Sequence, residues 1–280
     1  MSFIVSSCFS PPVIISVFAC RKKEDTPFIP ITPEEIAASA IEAVRAGASA
    51  VHIHVRDAVT HVGTQDKDLY EKVLARIRAE VDPIICLSTS GVPGKNLEHN
   101  KRLIPLELKP HMVSFDAGSM NFGNALFLNP PDFLDLLARK ARECEVKLEL
   151  ECFHPGMVDT CIQMMEAGLI ERPMHFQFVL GVRGGSPATV KSLITMVEMI
   201  PQDSTWSVIG IGKAQLTLGI HALLMGGHVR VGLGDNIYYH KGELATNERL
   251  VKRLVNLSRE LGREVATPEE AREILSLSSN

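Results

Sequence analysis

Short apolar runs alternate with longer segments of helical periodicity along the whole chain. Residues 12–19, 50–56, 83–88, 111–115, 146–153, 174–180, 205–209 and 227–233 read as strands. The segments between them, about 33–46, 66–80, 97–106, 131–144, 157–167, 187–200, 213–225 and 245–261, carry helical spacing, and a further helix is predicted over 268–277. The first helix has a clear start. Thr32 is the N-cap, Pro33 the first helical residue, and Glu35 closes a capping box. Strictly alternating strand and helix predicts a parallel sheet with helical crossovers. The expected fold is α/β, a (β/α)8 TIM barrel with an extra C-terminal helix, in one domain over residues 1–280. An open doubly wound sheet is the alternative, but no G-x-G-x-x-G spacing supports it.

Polarity within the strands sharpens this picture. In 50–56, Val51, Ile53 and Val55 form one face, and His52 and His54 the other. In 146–153, Lys147, Glu149 and Glu151 oppose Leu148, Leu150 and Cys152. In 227–233, His228 and Arg230 oppose Val229, Val231 and Leu233. Both faces of a parallel sheet are covered. The apolar faces therefore meet the helices, and the charged faces point into the barrel. Buried charges must be neutralised by one another, a metal or a ligand. Active sites of this fold lie at the C-terminal ends of the strands. His52, His54, Ser88, Ser114, Asp116, Glu151, Arg230 and Asp235 are expected to ring that mouth. Two histidines on one strand face suit a shared metal ion. Their spacing alone favours a half-buried strand with two solvated or hydrogen-bonded imidazoles; the convergence of the other polar groups turns the reading to the metal.

Composition adds exclusions. The 280 residues are 45% hydrophobic and 22% charged with net charge -4, ordinary for a globular protein and unlike a nucleic-acid binder. The six cysteines show no C-x-x-C spacing, so reduced thiols in a cytoplasmic protein are expected. The apolar start, residues 1–17, lacks a basic leader and is interrupted by Pro11 and Pro12, so no signal peptide is predicted. No apolar run reaches the length of a membrane span.

Several motifs together resemble the β-keto acid cleavage enzyme family, whose founding activity is 3-keto-5-aminohexanoate cleavage. They are residues 31–36 (ITPEEI), 52–57 (HIHVRD), 118–123 (GSMNFG), 226–233 (GGHVRVGL), Asp235-Asn236 and 261–268 (LGREVATP). The resemblance runs from about residue 13 to 277. It implies a zinc-bearing TIM barrel, usually oligomeric and often tetrameric. The reaction it implies condenses a β-keto acid with acetyl-CoA, releasing acetoacetate and a new acyl-CoA. Carried over by position, His52 and His54 match zinc ligands, and Ser88 and Ser114 match hydroxyl contacts to substrate, with Asp116 beside them. Glu151 matches an active-site carboxylate, Arg230 a catalytic arginine, and Asp235 its catalytic partner.

Two departures stand out. The family's G-x-E-D-N, whose Glu is the third zinc ligand, is here Leu233-Gly234-Asp235-Asn236, and Gly234 has no side chain to offer. The family's glutamate after the first strand is replaced by Cys20. First and eighth strands are neighbours in a closed barrel, so Cys20 is the expected substitute ligand. The alternatives are that Cys20 is a small filler with zinc held by the histidines and water, or that Asp235 becomes the ligand. The competing functions are a metal-assisted lyase or hydrolase acting on a keto acid without CoA, and a non-catalytic relic.

Overall fold

A computed structural model describes residues 13–17 and 23–277 of the chain. Eight parallel strands close into a barrel. They are β1 (Val13–Val17), β2 (Ala50–Ile53), β3 (Ile84–Leu87), β4 (Met112–Asp116), β5 (Lys147–Cys152), β6 (His175–Leu180), β7 (Thr205–Gly210) and β8 (His228–Val231). Each pairs in parallel with the next in sequence. Closure comes from β1 against β8, where Val13 pairs with Val229 and Ile15 with Val231. This is the expected TIM barrel, not the open sheet.

The helices that cover it are α1 (Pro33–Arg45), α2 (Lys67–Glu80), two single turns α3 (His99–Arg102) and α4 (Ile104–Glu107), α5 (Pro131–Glu143), α6 (Pro155–Glu166), α7 (Val190–Val197), α8 (Ala214–Met225), α9 (Asn247–Glu260) and α10 (Pro268–Ile274). The predicted capping box forms at α1. Glu35 N–H donates to Thr32 Oγ1 at 3.2 Å, and Thr32 N–H to Glu35 Oε2 at 3.2 Å. A second box, Thr267 with Glu270, starts α10.

The hydrophobic core lies outside the barrel wall. Val51, Ile53, Val113, Phe115, Leu150, Phe176, Phe178, Val208 and Val229 face the helices and are buried with the apolar faces of those helices. The inward face differs at its two ends. At the N-terminal end, Ala50, Ile84, Cys86 and Met112 form a small apolar cluster with Ala266, Ala271 and Leu275. The extra C-terminal helix α10 therefore plugs the bottom of the barrel. Above the plug the lumen is polar.

Three short hairpins were not foreseen. They are Val55–Arg56 with Gly63–Thr64, Met120–Phe122 with Ala125–Phe127, and Tyr238–His240 with Glu243–Leu244. The first changes the reading of 50–56. The barrel strand ends at Ile53, and after His54 the chain turns into an antiparallel ladder above the mouth. Among the described residues, the other predicted strand edges fall within a residue or two of those observed.

Candidate active site

The polar lumen is built by alternation. Every second residue of a strand points inward, so β2 contributes His52, β5 Glu149 and Glu151, and β8 His228 and Arg230. Burial is nearly complete: His52 is 0% exposed, Glu149 1% and Arg230 2%. Such charges persist only if paired, and they are. Arg230 Nη1 donates to Glu151 Oε1 at 2.8 Å and to Glu149 Oε2 at 3.2 Å. Glu149 Oε2 also lies 2.7 Å from His52 Nδ1 and accepts from the Cys86 thiol at 3.4 Å.

These contacts set protonation. Burial works against the charge of Glu149, but His52 and Arg230 outweigh it and hold the carboxyl well below the usual range. Burial likewise opposes the charge of Arg230, yet Glu151, Glu149 and Asp235 together raise its pKa. A carboxylate only accepts hydrogen bonds, so His52 carries its proton on Nδ1. Its Nε2 lies 3.1 Å from His54 Nε2. Burial, followed by the charges of His52, Arg230 and Arg56, keeps the His54 pKa well below that of a free imidazole, so His54 is neutral at pH 7. Burial, together with the charge on Glu149, pushes the Cys86 thiol well up.

His54 opens onto a cavity of about 940 Å³ at the C-terminal mouth, lined also by Asp116, Glu151, Arg230, Gly234 and Asp235 among others, with His52 buried behind it. Its outer wall is more apolar, with Phe122, Phe127 and Phe153 packed edge to face. Asp116, at the end of β4, accepts from Ser90 Oγ at 2.7 Å. Burial and the charge of Glu151 push its pKa up to about 7, against the pull of Ser90 and Arg102.

Of the residues expected from sequence, His52, His54, Asp116, Glu151, Arg230 and Asp235 are brought to one end of the barrel. Ser88 and Ser114 sit beside them but are fully buried. Their hydroxyls accept from the backbone N–H of Ser90 and Thr89, at 3.1 and 3.0 Å, and shape the loop after β3. Cys20 lies outside the described residues. Gly234 lines the cavity, as the missing carboxylate would require.

Sequence reasoning missed three contributors. Cys86 read as an apolar strand residue, yet with His52 and Glu149 it forms a group whose donor atoms lie within 4.8 Å of one another, a possible metal-binding triad. Arg102 sits in a short predicted helix that gave no sign of its partners, at the end of the single turn α3. It donates to Thr89 O, Leu128 O and Asn129 Oδ1 at 2.8, 2.9 and 2.6 Å, stacks on Phe133, and so ties together the loops after β3 and β4. Gly184 lets the loop after β6 lie on the hairpin at 120–127. Its φ is +108°, and a Cβ there would meet the Asn121 carbonyl oxygen at 1.9 Å.

The chain was compared with known proteins. It is 46% identical over 258 residues to a 3-keto-5-aminohexanoate cleavage enzyme of Fusobacterium nucleatum subsp. nucleatum, covering 91% of this chain and 93% of that one. It is 37% identical over 276 residues to a 3-oxoadipate:acetyl-CoA acetyltransferase of Cupriavidus necator, covering 96% of each. Among solved structures, a ternary complex of ObcA with a C4-CoA adduct and oxalate superposes with a TM-score of 0.77 at 22% identity, over 90% of this chain and 68% of that one. That last likeness concerns the fold. The model of the beta-keto acid cleavage enzyme family matches residues 12–277, taking in the histidine pair, both lumen glutamates and Arg230 alike. With the barrel and its charged mouth, that match makes this chain a member of the β-keto acid cleavage enzyme family.

Proposed function

We propose that the protein is a metal-dependent acyltransferase that cleaves a C–C bond, condensing a β-keto acid with acetyl-CoA to give acetoacetate and a new acyl-CoA. The observation that carries this reading is the pair of Nε2 atoms, His52 and His54, 3.1 Å apart, with His54 in the wall of a cavity that a clamped guanidinium also lines. The donor chemistry fits a zinc ion. Two neutral imidazoles binding one ion at about 2.0–2.1 Å with tetrahedral angles stand roughly 3.3 Å apart. With Nδ1 bound to Glu149, His52 would present Nε2 to such an ion. Bound there, zinc supplies Lewis-acid polarisation of a carbonyl.

The remaining roles belong to the chain itself. Arg230 presents its guanidinium to the substrate carboxylate and to the negative charge that develops on cleavage. Glu149 and Glu151 hold that guanidinium in one orientation, so it is preorganised. We assign Asp235 the proton transfer at the carbon between the two carbonyl groups: it lines the cavity and its charge acts on Arg230. Asp116, near half-protonated at neutral pH, is assigned to the keto acid as a hydrogen-bond partner, with Ser88 and Ser114 shaping that wall. The acetyl-CoA partner is supported by the name of the Cupriavidus relative, and a homotetramer by the family resemblance.

The test is turnover of zinc-loaded protein with labelled acetyl-CoA and a panel of β-keto acids. Label in acetoacetate together with a new acyl-CoA supports the reading. Product formed equally well with CoA omitted would move it to a lyase or hydrolase. Metal-loaded protein inert across the panel would overturn it.

A further inference from the structure

One carboxylate oxygen in the lumen does more than balance charge. Glu149 Oε2 takes the His52 Nδ1 proton at 2.7 Å, Arg230 Nη1 at 3.2 Å and the Cys86 thiol at 3.4 Å. Glu149 is 1% exposed and does not line the cavity, so it cannot act by touching substrate. Its partners lie on three other strands. His52 is on β2, Cys86 on β3 and Arg230 on β8, while Glu149 is on β5. A single atom thus bridges the histidine pair and the guanidinium across the width of the barrel.

We infer that Glu149 is a positioning residue that builds the metal site and the carboxylate site as one unit, by fixing His52 with Nε2 toward His54 and holding Arg230 on the same oxygen. This rests on the reading of His52 and His54 as metal ligands given above. Carboxylate partners of ligand histidines orient the ring and raise its basicity, and their loss typically weakens metal affinity by about 10–100-fold. Here the same loss also frees one side of Arg230.

The alternative is that His52 Nδ1, Cys86 and Glu149 are themselves the ligands. The geometry speaks against it. A separation of 2.7 Å is a charge-assisted hydrogen bond, shorter than the roughly 3 Å or more between two ligand atoms of one ion. The Cys86 contact is that of a thiol donor.

Glu149→Gln is the test. A carbonyl oxygen at the Oε2 position still accepts from its neighbours, so the variant keeps the shape and loses the charge; Glu149→Asp is the conservative rescue. Zinc affinity is measured by chelator competition, and the visible spectrum of the cobalt(II) form reports the ligand field. Thermal melts confirm the fold, and Cys86→Ala serves as a control that removes only the thiol. The expected result is cobalt(II) bound by wild type without thiolate charge-transfer absorption, an affinity 10–100-fold lower in Glu149→Gln with a changed cobalt spectrum, partial recovery in Glu149→Asp, and near wild-type binding in Cys86→Ala. Metal bound by Glu149→Gln as tightly as by wild type, with an unchanged spectrum, overturns the inference alone. Thiolate absorption lost in Cys86→Ala overturns it in favour of the alternative triad. Failure of the wild type to take up either metal overturns the metal reading itself and this inference with it.

Discussion

Arg230 is the residue on which the chemistry most depends. Its fork geometry matters, because one guanidinium nitrogen is shared between two carboxylates while the group also lines the cavity. Lysine keeps the charge but offers no planar fork. Arg230→Lys is expected to lower kcat/KM on the order of 10²-fold, with a melting temperature close to wild type. A steady-state assay beside a thermal melt separates the two effects. Asp116 gives a pH signature. Its carboxyl sits at about 7 in the folded protein against 3.8 for the ordinary value. Between those values the folded state holds the proton more tightly than the unfolded one, so stability falls as pH rises from about 4 to about 7. Asparagine removes that dependence. Asp116→Asn is expected to be more stable than wild type by about 2–4 kcal/mol at pH 8, with the gap closing by pH 4. Denaturant melts across that range would show it, and parallel curves would refute it. Arg230 was legible in the sequence as a charge on an inward strand face, and Asp116 as a carboxylate just past the end of a predicted strand. Cys86 was not. A cysteine among isoleucines and leucine reads as filler, and only the packing of β3 beside β2 reveals the carboxylate its thiol meets.

Elements explain what could and could not be foreseen. Long helices announced themselves through periodicity and, at Thr32, through a capping box. The hairpins did not, because strands of two or three residues are too short to show an alternation. They matter all the same. The hairpin at 55–64 carries the chain away from the barrel immediately after His54, and the one at 120–127 builds the aromatic wall. Arg102 was equally hidden, since what it recognises is three acceptors on distant loops rather than a local pattern. The extra helix α10 was predicted, but its task was not. Leu275, 1% exposed, inserts beneath Ile84, Cys86 and Met112. Leu275→Ala should therefore cost about 2–4 kcal/mol, whereas the same change at Leu224, 63% exposed on α8, should be nearly silent. Equilibrium unfolding of the two variants makes the comparison.

At the scale of the molecule, the chain keeps two different interiors. Apolar residues fill the ring between sheet and helices, and ionic and polar residues fill the lumen. His175 and Ser207 meet at 3.4 Å, Ser207 and Gln177 at 2.7 Å, and His228 is buried among them beneath Arg230. Burial, opposed by Glu149, lowers the His175 pKa to about 4, and burial with the nearby His175 lowers that of His228 well below an ordinary imidazole. This separation is why the fold could be read from strand alternation before any site was assigned. The site itself needed side chains from opposite walls to be seen together.

A lumen of this kind has a calorimetric consequence. Unfolding exposes apolar surface, which raises the heat capacity, and polar surface, which lowers it. Wetting the lumen of this barrel hydrates carboxylates, imidazoles and guanidinium where other barrels expose valine and isoleucine. The heat-capacity increment of unfolding should therefore fall below the usual ~12–15 cal/mol/K per residue. Its stability curve should be correspondingly broad and shallow, losing little on cooling. Scanning calorimetry at several pH values would give the increment directly, and a value at or above the usual range would show that the lumen contributes nothing distinctive on unfolding.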